Sequence, residues 1–598
     1  MTKIFQKLNK LLDRRQKRHM ALLVFLMLVG ALLETASIAV LIPAVELVTD
    51  PEAIYGNRFI APIYVNLGFQ SVAAFTVFIM LSLIAFFVLK NVYLFFQTKW
   101  QLRFVYTNQF ATSRRLMVNY MKRPYEYYLG AQTAVVQRSI TSDVINMYGL
   151  VLNLLQLMSE GVIFFSLAIF CVIREPLLAL IFSALLVVVL LVVKVVLQPI
   201  MRKAGEENQD YYSGLFTWIN QAVTGIKEIK IARKEHYFIN EYAKCGAGYV
   251  RAVQRYSLFS ATPRLLIETV AIAAMIVYIM IIALNGALLH DFIASFAAFA
   301  YAFMRMIPSA NRINNYLTSI AYFEPFLMGV SDNLQDEIGA GGSDCEAGEY
   351  EEEYQRKLAL PKLAIKQQIT LEGITYKYPN TDVFIFDQAQ MTIPVGKAVG
   401  IVGASGSGKT TLVDIMLGLL RLESGRVLAD GVDVSGHYDS WLKNIGYIPQ
   451  TIFMLDDSIR RNVAFGLADE QIDDEKVWRA LAEAQLDEFV RGLPEGLSSG
   501  IGERGIRISG GQRQRIGIAR ALYEDPEVLV LDEATSALDG ETEAAIMESI
   551  NLLHGKKTLV IIAHRLQTIE KCDLIYRIEE GKCEKFSSPN GKASAKTS

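Results

Sequence analysis

Residues 403–410, Gly-Ala-Ser-Gly-Ser-Gly-Lys-Thr, follow the strand-like run 397–402 and precede the helix-like run 411–420. Glycines in that setting let successive backbone N–H groups converge on a phosphate chain at a helix N-terminus, where the helix dipole favours an anion. Gly403, Ser405, Gly406, Ser407 and Gly408 would form the cradle, with Thr411 beside it. Lys409 would reach the β- and γ-phosphates of a nucleoside triphosphate, and the Thr410 hydroxyl would hold magnesium. A second stretch, Val528 to Leu531, reads as a buried strand that ends on two acids. Asp532 at its tip suits a magnesium–water contact, and Glu533 beside it suits a general base that polarises the attacking water.

Between these two stretches lies "ISGGQRQR" at 508–515, with "YIPQ" ending at Gln450, "SALD" ending at Asp539 and "IIAHR" containing His564. The set resembles the ATP-binding-cassette (ABC) ATPases, and the resemblance covers residues 365–585. It implies ATP and Mg2+ as cofactors. Gln450 would sense the metal and a membrane domain, and His564 would contact the γ-phosphate. Tyr378 resembles the aromatic that stacks on adenine, with Tyr376 as the neighbouring candidate. In this family Ser509, Gly510, Gly511 and Gln512 close over ATP bound to the other subunit, and the resemblance places Asp539 among the cofactor-binding residues. One cassette in the chain therefore implies a homodimer with two competent sites. Ile508 stands where leucine is usual, a conservative departure.

The elements that must carry these groups belong to a chain of two characters. At 598 residues it exceeds one hydrophobic core. Long apolar runs recur over residues 1–328, whereas the sequence from about residue 365 has the charge and glycine density of a soluble domain. The net charge of −2 excludes a general nucleic-acid binder, and the five dispersed cysteines suggest neither a disulfide framework nor a zinc site. Spans are expected at roughly 20–48, 71–98, 145–173, 175–199, 262–288 and 291–327. The expected fold is an all-α domain of six spans followed by an α/β phosphate-loop nucleotide-binding domain. The boundaries are 1–19 for an interfacial amphipathic helix, 20–328 for the membrane domain, 329–364 for an acidic linker, 365–585 for the cassette and 586–598 for a disordered tail. Lys and Arg concentrate before the first span and in the connections 99–144 and 200–261, which puts those connections, the N-terminus and the cassette in the cytoplasm. Both connections keep a helical period. They are expected to extend the spans and to reverse near 131–140 and 208–218, where they would meet the cassette.

Ionisable residues inside spans need a partner or a watery cavity. They are Glu34, Lys90, Glu160, Lys194, Glu268 and Arg305. Glu34 and Glu268 are candidates for pairing with basic side chains, and Lys194 for snorkelling. Arg305 opens "RMIPSANRINNY", in the inner third of the bilayer, where Pro308 relaxes the helix and Arg312 extends the basic character. Such cations suit a phosphate or diphosphate headgroup, while snorkelling or pairing remains the plainer alternative. Six spans fused ahead of the cassette, and "GIGERG" at 500–505, resemble ABC exporters. The segments 32–45, 263–270 and 305–313 are similar to the branch that flips lipid-linked oligosaccharides in bacteria. That resemblance implies a cationic translocation path through Lys90, Arg264 and Arg305, with Lys90 in place of an arginine and so without bidentate phosphate geometry. It implies inner-to-outer movement of a polyprenyl-diphosphate glycan across a bacterial cytoplasmic membrane. Export of another lipid, glycolipid, drug or peptide is the alternative cargo reading. A regulatory membrane ATPase that moves nothing is the alternative class.

Overall fold

The computed structural model describes residues 2–49, 71–174, 187–284, 289–339, 347–379, 381–533, 540–563 and 569–586, with isolated positions 64, 66 and 69. The chain forms two compact units, Met1–Arg123 with Ala131–Ala347, and Pro124–Gly130 with Gly348–Ser598.

The first unit is helical among its described residues. A short helix, Thr2–Leu11, buries Ile4, Leu8 and Leu11 at one-turn spacing, and the chain breaks before Arg14. Residues 14–19, expected to belong to the interfacial helix, instead open the long helix Arg14–Thr49. Val72–Lys122 runs for 51 residues, about two and a half times the roughly 20 needed to cross hydrocarbon, and so projects well beyond it. Val144–Arg174, Gln198–Thr224, Glu235–Leu284 and Leu289–Gly339 complete the long elements. Of the described helices, those containing Arg14–Ser37, Val72–Lys122 and Thr133–Ser166 are long and apolar enough to cross a membrane. Helix packing uses close backbone approach: a Cβ on Gly205 would stand 2.1 Å from the Tyr322 carbonyl oxygen, so only glycine fits there.

Two expectations are corrected. The reversals fall at Arg123–Gln132, around the short helix Tyr125–Gly130, and at 224–235, around Ile226–Ala232. Residues 131–140 and 208–218 are themselves largely helical, because apolar periodicity continues through them and the breaks sit at Pro124, Gly130 and Gly225 instead. The acidic segment 329–364 is also not open chain throughout. Val330 and Leu334 stay buried one turn apart on the last long helix, and Ala347–Ala359 forms a helix of its own with a Glu353–Lys357 pair at 3.1 Å.

The second unit holds two sheets. An antiparallel sheet in the order β2-β1-β4-β5 uses Phe386–Pro394, Gln368–Tyr376, Ser424–Ala429 and Val432–Asp433. The larger sheet, order β10-β9-β3-β8-β7-β6, comprises Lys582–Lys585, Leu574–Glu579, Ala398–Gly403, Thr558–Ile562, Val528–Asp532 and Ile445–Ile448. Its strands β9 to β6 pair in parallel. Strand β7 is wholly buried because both faces are covered. Val528 and Val530 join the core shared with β1 and β2, while Leu529 and Leu531 join the core shared with Ile516, Ile518 and Leu522. The period of two thus puts alternate residues into two separate cores and leaves the strand tips for chemistry.

Candidate functional site

Strand β3 ends at Gly403 and the helix Lys409–Met416 begins six residues later, so the intervening loop sits at the carboxyl end of a parallel strand. That is where open α/β sheets place their ligands. Gly406 and Gly408 have φ of 79° and 98°, which a side chain would strain, and a Cβ on Gly408 would press Ile385 at 2.8 Å. Strand β7 delivers Asp532 to the same edge, separated from β3 by β8 alone. Thr410 and Tyr447 hydroxyls donate to the two Asp532 oxygens, each at 3.4 Å, the long end of hydrogen bonding. Glu533 then leaves the strand with φ of 50°, an uncommon conformation for a non-glycine residue. It is held by its N–H donating to the Ile562 carbonyl at 3.2 Å. Gln450 lies beyond the end of β6, the neighbour of β7, and its Nε2 donates to Glu533 Oε2 at 2.9 Å.

Burial shapes the charges. Asp532 is raised above the usual carboxylate range first by desolvation and then by the adjacent Glu533. Asp414, on the buried side of the Lys409–Met416 helix, is raised to about 6, mainly by desolvation and further by Asp532. Lys409 is buried and its Nζ folds back on the loop, donating to the carbonyls of Gly403 at 3.2 Å and Ala404 at 3.0 Å. Inside the same loop the Ser407 Oγ is buried with no hydrogen-bond partner. A buried ammonium turned on carbonyls, an orphaned hydroxyl and two left-handed glycines fit a bound phosphate chain, and the paired acids fit its divalent metal.

The ABC transporter family pattern matches residues 386–536, and the pattern of the ABC transporter transmembrane region matches residues 53–307. An ATP-dependent lipid A-core flippase of Dechloromonas aromatica (strain RCB) is 30% identical over 486 residues, 80% of this chain and 79% of that one. The chain belongs to the ABC transporter family. As an ABC transporter it takes ATP with Mg2+ in its nucleotide-binding domain, and its architecture is a helical membrane domain followed by that α/β domain. The heterocyst differentiation ATP-binding protein HepA of Nostoc sp. (strain PCC 7120 / SAG 25.82 / UTEX 2576) is 32% identical over 361 residues, 60% of this chain and 56% of that one. The match spans between 16% and 56% of the length of four such relatives. The fold is that of a bacterial Atm1-family ABC exporter solved with ATP bound, with a TM-score of 0.73 at 19% identity, covering 96% of this chain and 95% of that one.

The remaining expected site residues of the transporter are dispersed. Tyr378 is half-buried, its hydroxyl 2.8 Å from Thr411 Oγ1, while Tyr376 is buried at 1% exposure and meets it edge-on, so only Tyr378 offers a face at the surface. Ser509 caps the helix Gly510–Leu522: its Oγ accepts from the Gln512 N–H at 3.2 Å, and Gln512 Oε1 accepts from the Ser509 N–H at 2.9 Å. Those bonds stay within one turn and leave Gly510 and Gly511 at the helix start. Asp539 and His564 lie outside the described residues. In the membrane unit, Lys90 Nζ stands 2.9 Å from Glu34 Oε2 and 3.3 Å from Ser37 Oγ, Arg264 is exposed, and the Arg305 side chain lies outside the described set. Arg312 pairs with Glu160 at 2.7 Å, and Ser309 donates to the same carboxylate at 2.7 Å. Glu268 is exposed. Sequence reasoning missed Tyr447 and Asp414. Tyr447 is recoverable, since a tyrosine three residues before Gln450 on the strand beside β7 must point to one of two faces. Asp414 carries no motif signal; only its position one turn after Thr410 could have raised it.

Proposed function

We propose that this ABC transporter uses ATP to flip an anionic lipid-linked oligosaccharide, a polyprenyl-diphosphate glycan, from the inner to the outer leaflet of a bacterial cytoplasmic membrane, working as a homodimer. The observation that carries the reading is the match to a lipid A-core flippase over 80% of this chain, membrane region included, because that relative is named for flipping a lipid. The exposed Arg264 supports a cationic surface on the path, with Arg305 and Lys90 as the other proposed cations. Lys90 would serve in that role only on exchanging Glu34 for cargo phosphate, since the pair is already formed.

At the nucleotide site Lys409 would leave the two loop carbonyls for phosphate oxygens, and Thr410, Asp532 and Gln450 would hold the magnesium. The metal supplies charge neutralisation at the phosphates. Glu533 accepts the proton of the attacking water, oriented by the Gln450 amide, and His564 steadies the γ-phosphate. The second copy contributes Ser509 to Gln512, so hydrolysis requires two chains.

Reconstituted proteoliposomes test this with ATP-dependent movement of a polyprenyl-diphosphate oligosaccharide, for the natural protein, Glu533→Gln and Arg264→Ala. Movement by the natural protein that both substitutions abolish supports the reading. Brisk ATP hydrolysis with no movement of this cargo, but movement of lipid A-core glycolipid, transfers the cargo assignment to the glycolipid class.

A further inference from the structure

Outside the nucleotide site, one cavity is built from features that the export cycle does not use. It is a groove of about 780 Å³ within the membrane unit, between the start of the Arg14–Thr49 helix and the second half of the Val72–Lys122 helix. One wall carries Arg15, His19, Leu22 and Leu26, at offsets of four, seven and eleven residues and so along one helical face. The opposite wall carries Trp100, Arg103, Thr107, Phe110 and Arg114 on a similar stripe. The helices run antiparallel in register, since Arg115 donates to the Leu11 carbonyl at 3.0 Å, Gln16 to Asn108 at 2.9 Å, and the Tyr93 hydroxyl to the Leu26 carbonyl at 2.7 Å. The end near Leu26 and Trp100 is therefore apolar, the basic groups begin at Arg103, His19 and Arg15, and Arg114 lies about 16 Å farther along its helix than Arg103.

That gradient is the profile of a membrane interface. Trp100 is 50% exposed and Leu22 54% exposed, as suits contact with acyl chains and the headgroup boundary. Arg15, Arg103 and Arg114 are exposed and have no ion-pair partner among the described residues, in contrast to Lys90 and Arg312. Asp13 is the sole acid lining the groove. The volume falls in the range of small-ligand sites and holds a headgroup with the first methylenes of its chains.

We infer that this groove binds one anionic phospholipid of the surrounding leaflet, with its phosphodiester against Arg15 and Arg103 and its chains along Leu22, Leu26 and Trp100. Basic pockets between membrane helices recognise acidic headgroups in this way. The groove lies on the same two helices as the Lys90–Glu34 pair but is lined by none of the proposed cargo-path cations, and its occupant is a resident lipid, so it stands whether or not the cargo assignment does.

The test is binding by purified full-length protein in detergent, titrated with phosphatidylglycerol, phosphatidylcholine or water-soluble sn-glycerol 1-phosphate and read by native mass spectrometry. Phosphatidylglycerol is expected to bind with one high-affinity site per chain and phosphatidylcholine at least tenfold more weakly. Arg15→Gln/Arg103→Gln should weaken phosphatidylglycerol binding about thirtyfold, from roughly 1 kcal/mol per basic residue. Arg15→Lys/Arg103→Lys should retain most of it. If the glutamine pair fails to fold, Arg103→Gln alone replaces it, with the same direction expected. Equal binding of the zwitterionic lipid, undiminished phosphatidylglycerol binding in a folded glutamine variant, or displacement by glycerol phosphate at matched concentration would each overturn the assignment, the last by pointing to free phosphate.

Discussion

In the membrane unit Lys90 lies 2.9 Å from Glu34 and Arg312 lies 2.7 Å from Glu160, whereas in the nucleotide unit Lys409 bonds only to two carbonyls and Asp532 stands beside Glu533. The first region pairs these two cations with acids, and the second keeps like charges together and a cation turned on its own loop. Hydrocarbon explains the difference. A charge in a span has no water to fall back on, so the chain supplies the counter-charge itself. A nucleotide site gains by leaving its electrostatics unmet until phosphate and metal arrive, because the ligand then completes them.

The sharpest way to break that contrast is at the acid beside Asp532. Glu533→Gln should lower steady-state ATP turnover by about 10²- to 10⁴-fold while nucleotide affinity changes little, measured by phosphate release and by equilibrium binding. Turnover within tenfold of the natural protein would remove Glu533 from the role of base. In the membrane unit Lys90→Met should destabilise by ~3 kcal/mol, since it strands Glu34, and the double change Glu34→Met/Lys90→Met should recover most of that loss. Unfolding in detergent micelles reads both. A single variant as stable as the natural protein would show that Glu34 reaches water.

A smaller effect separates buried from ligand-directed charge inside the nucleotide unit. Asp414 has its native pKa raised from 3.8 to about 6, so the folded state holds the extra proton between those values and its stability falls as pH rises through that window. Asp414→Asn should therefore stabilise the nucleotide-free protein by about 1–2 kcal/mol at pH 7.5, with the advantage gone near pH 4. A pH-independent advantage would assign the effect to packing. The smallest change belongs to Arg312→Gln. Its side chain is 48% exposed and Ser309 still donates to Glu160 at 2.7 Å, so loss of the pair should cost no more than ~1 kcal/mol.

Local signals reached furthest where chemistry and backbone coincide. The phosphate loop, Asp532, Glu533 and Gln450 were each legible, because glycines at fixed offsets and acids at the end of an apolar run encode both a conformation and a charge. Tyr447 and Asp414 were not, since a tyrosine on a strand and an acid in a helix are ordinary until a neighbouring strand brings Asp532 beside them. The membrane acids show the same limit. Glu34 was a candidate for pairing, but its partner 56 positions away had been placed on the cargo path. The helix reversals were misplaced for a different reason: the apolar period ran through 131–140 and 208–218, and the true breaks at Pro124, Gly130 and Gly225 are single residues within polar surroundings.

By itself the sequence determined which half of this transporter is apolar, where the phosphate loop and acidic strand lie, and the ATPase family they belong to, because these depend on composition and spacing along one segment. Tertiary structure decided which charges neutralise each other, that Tyr378 is half-buried where Tyr376 is fully buried, and that two helical stripes of arginine, leucine and tryptophan face one another across a groove. Those outcomes rest on residues tens to hundreds of positions apart, and only packing fixes their distance.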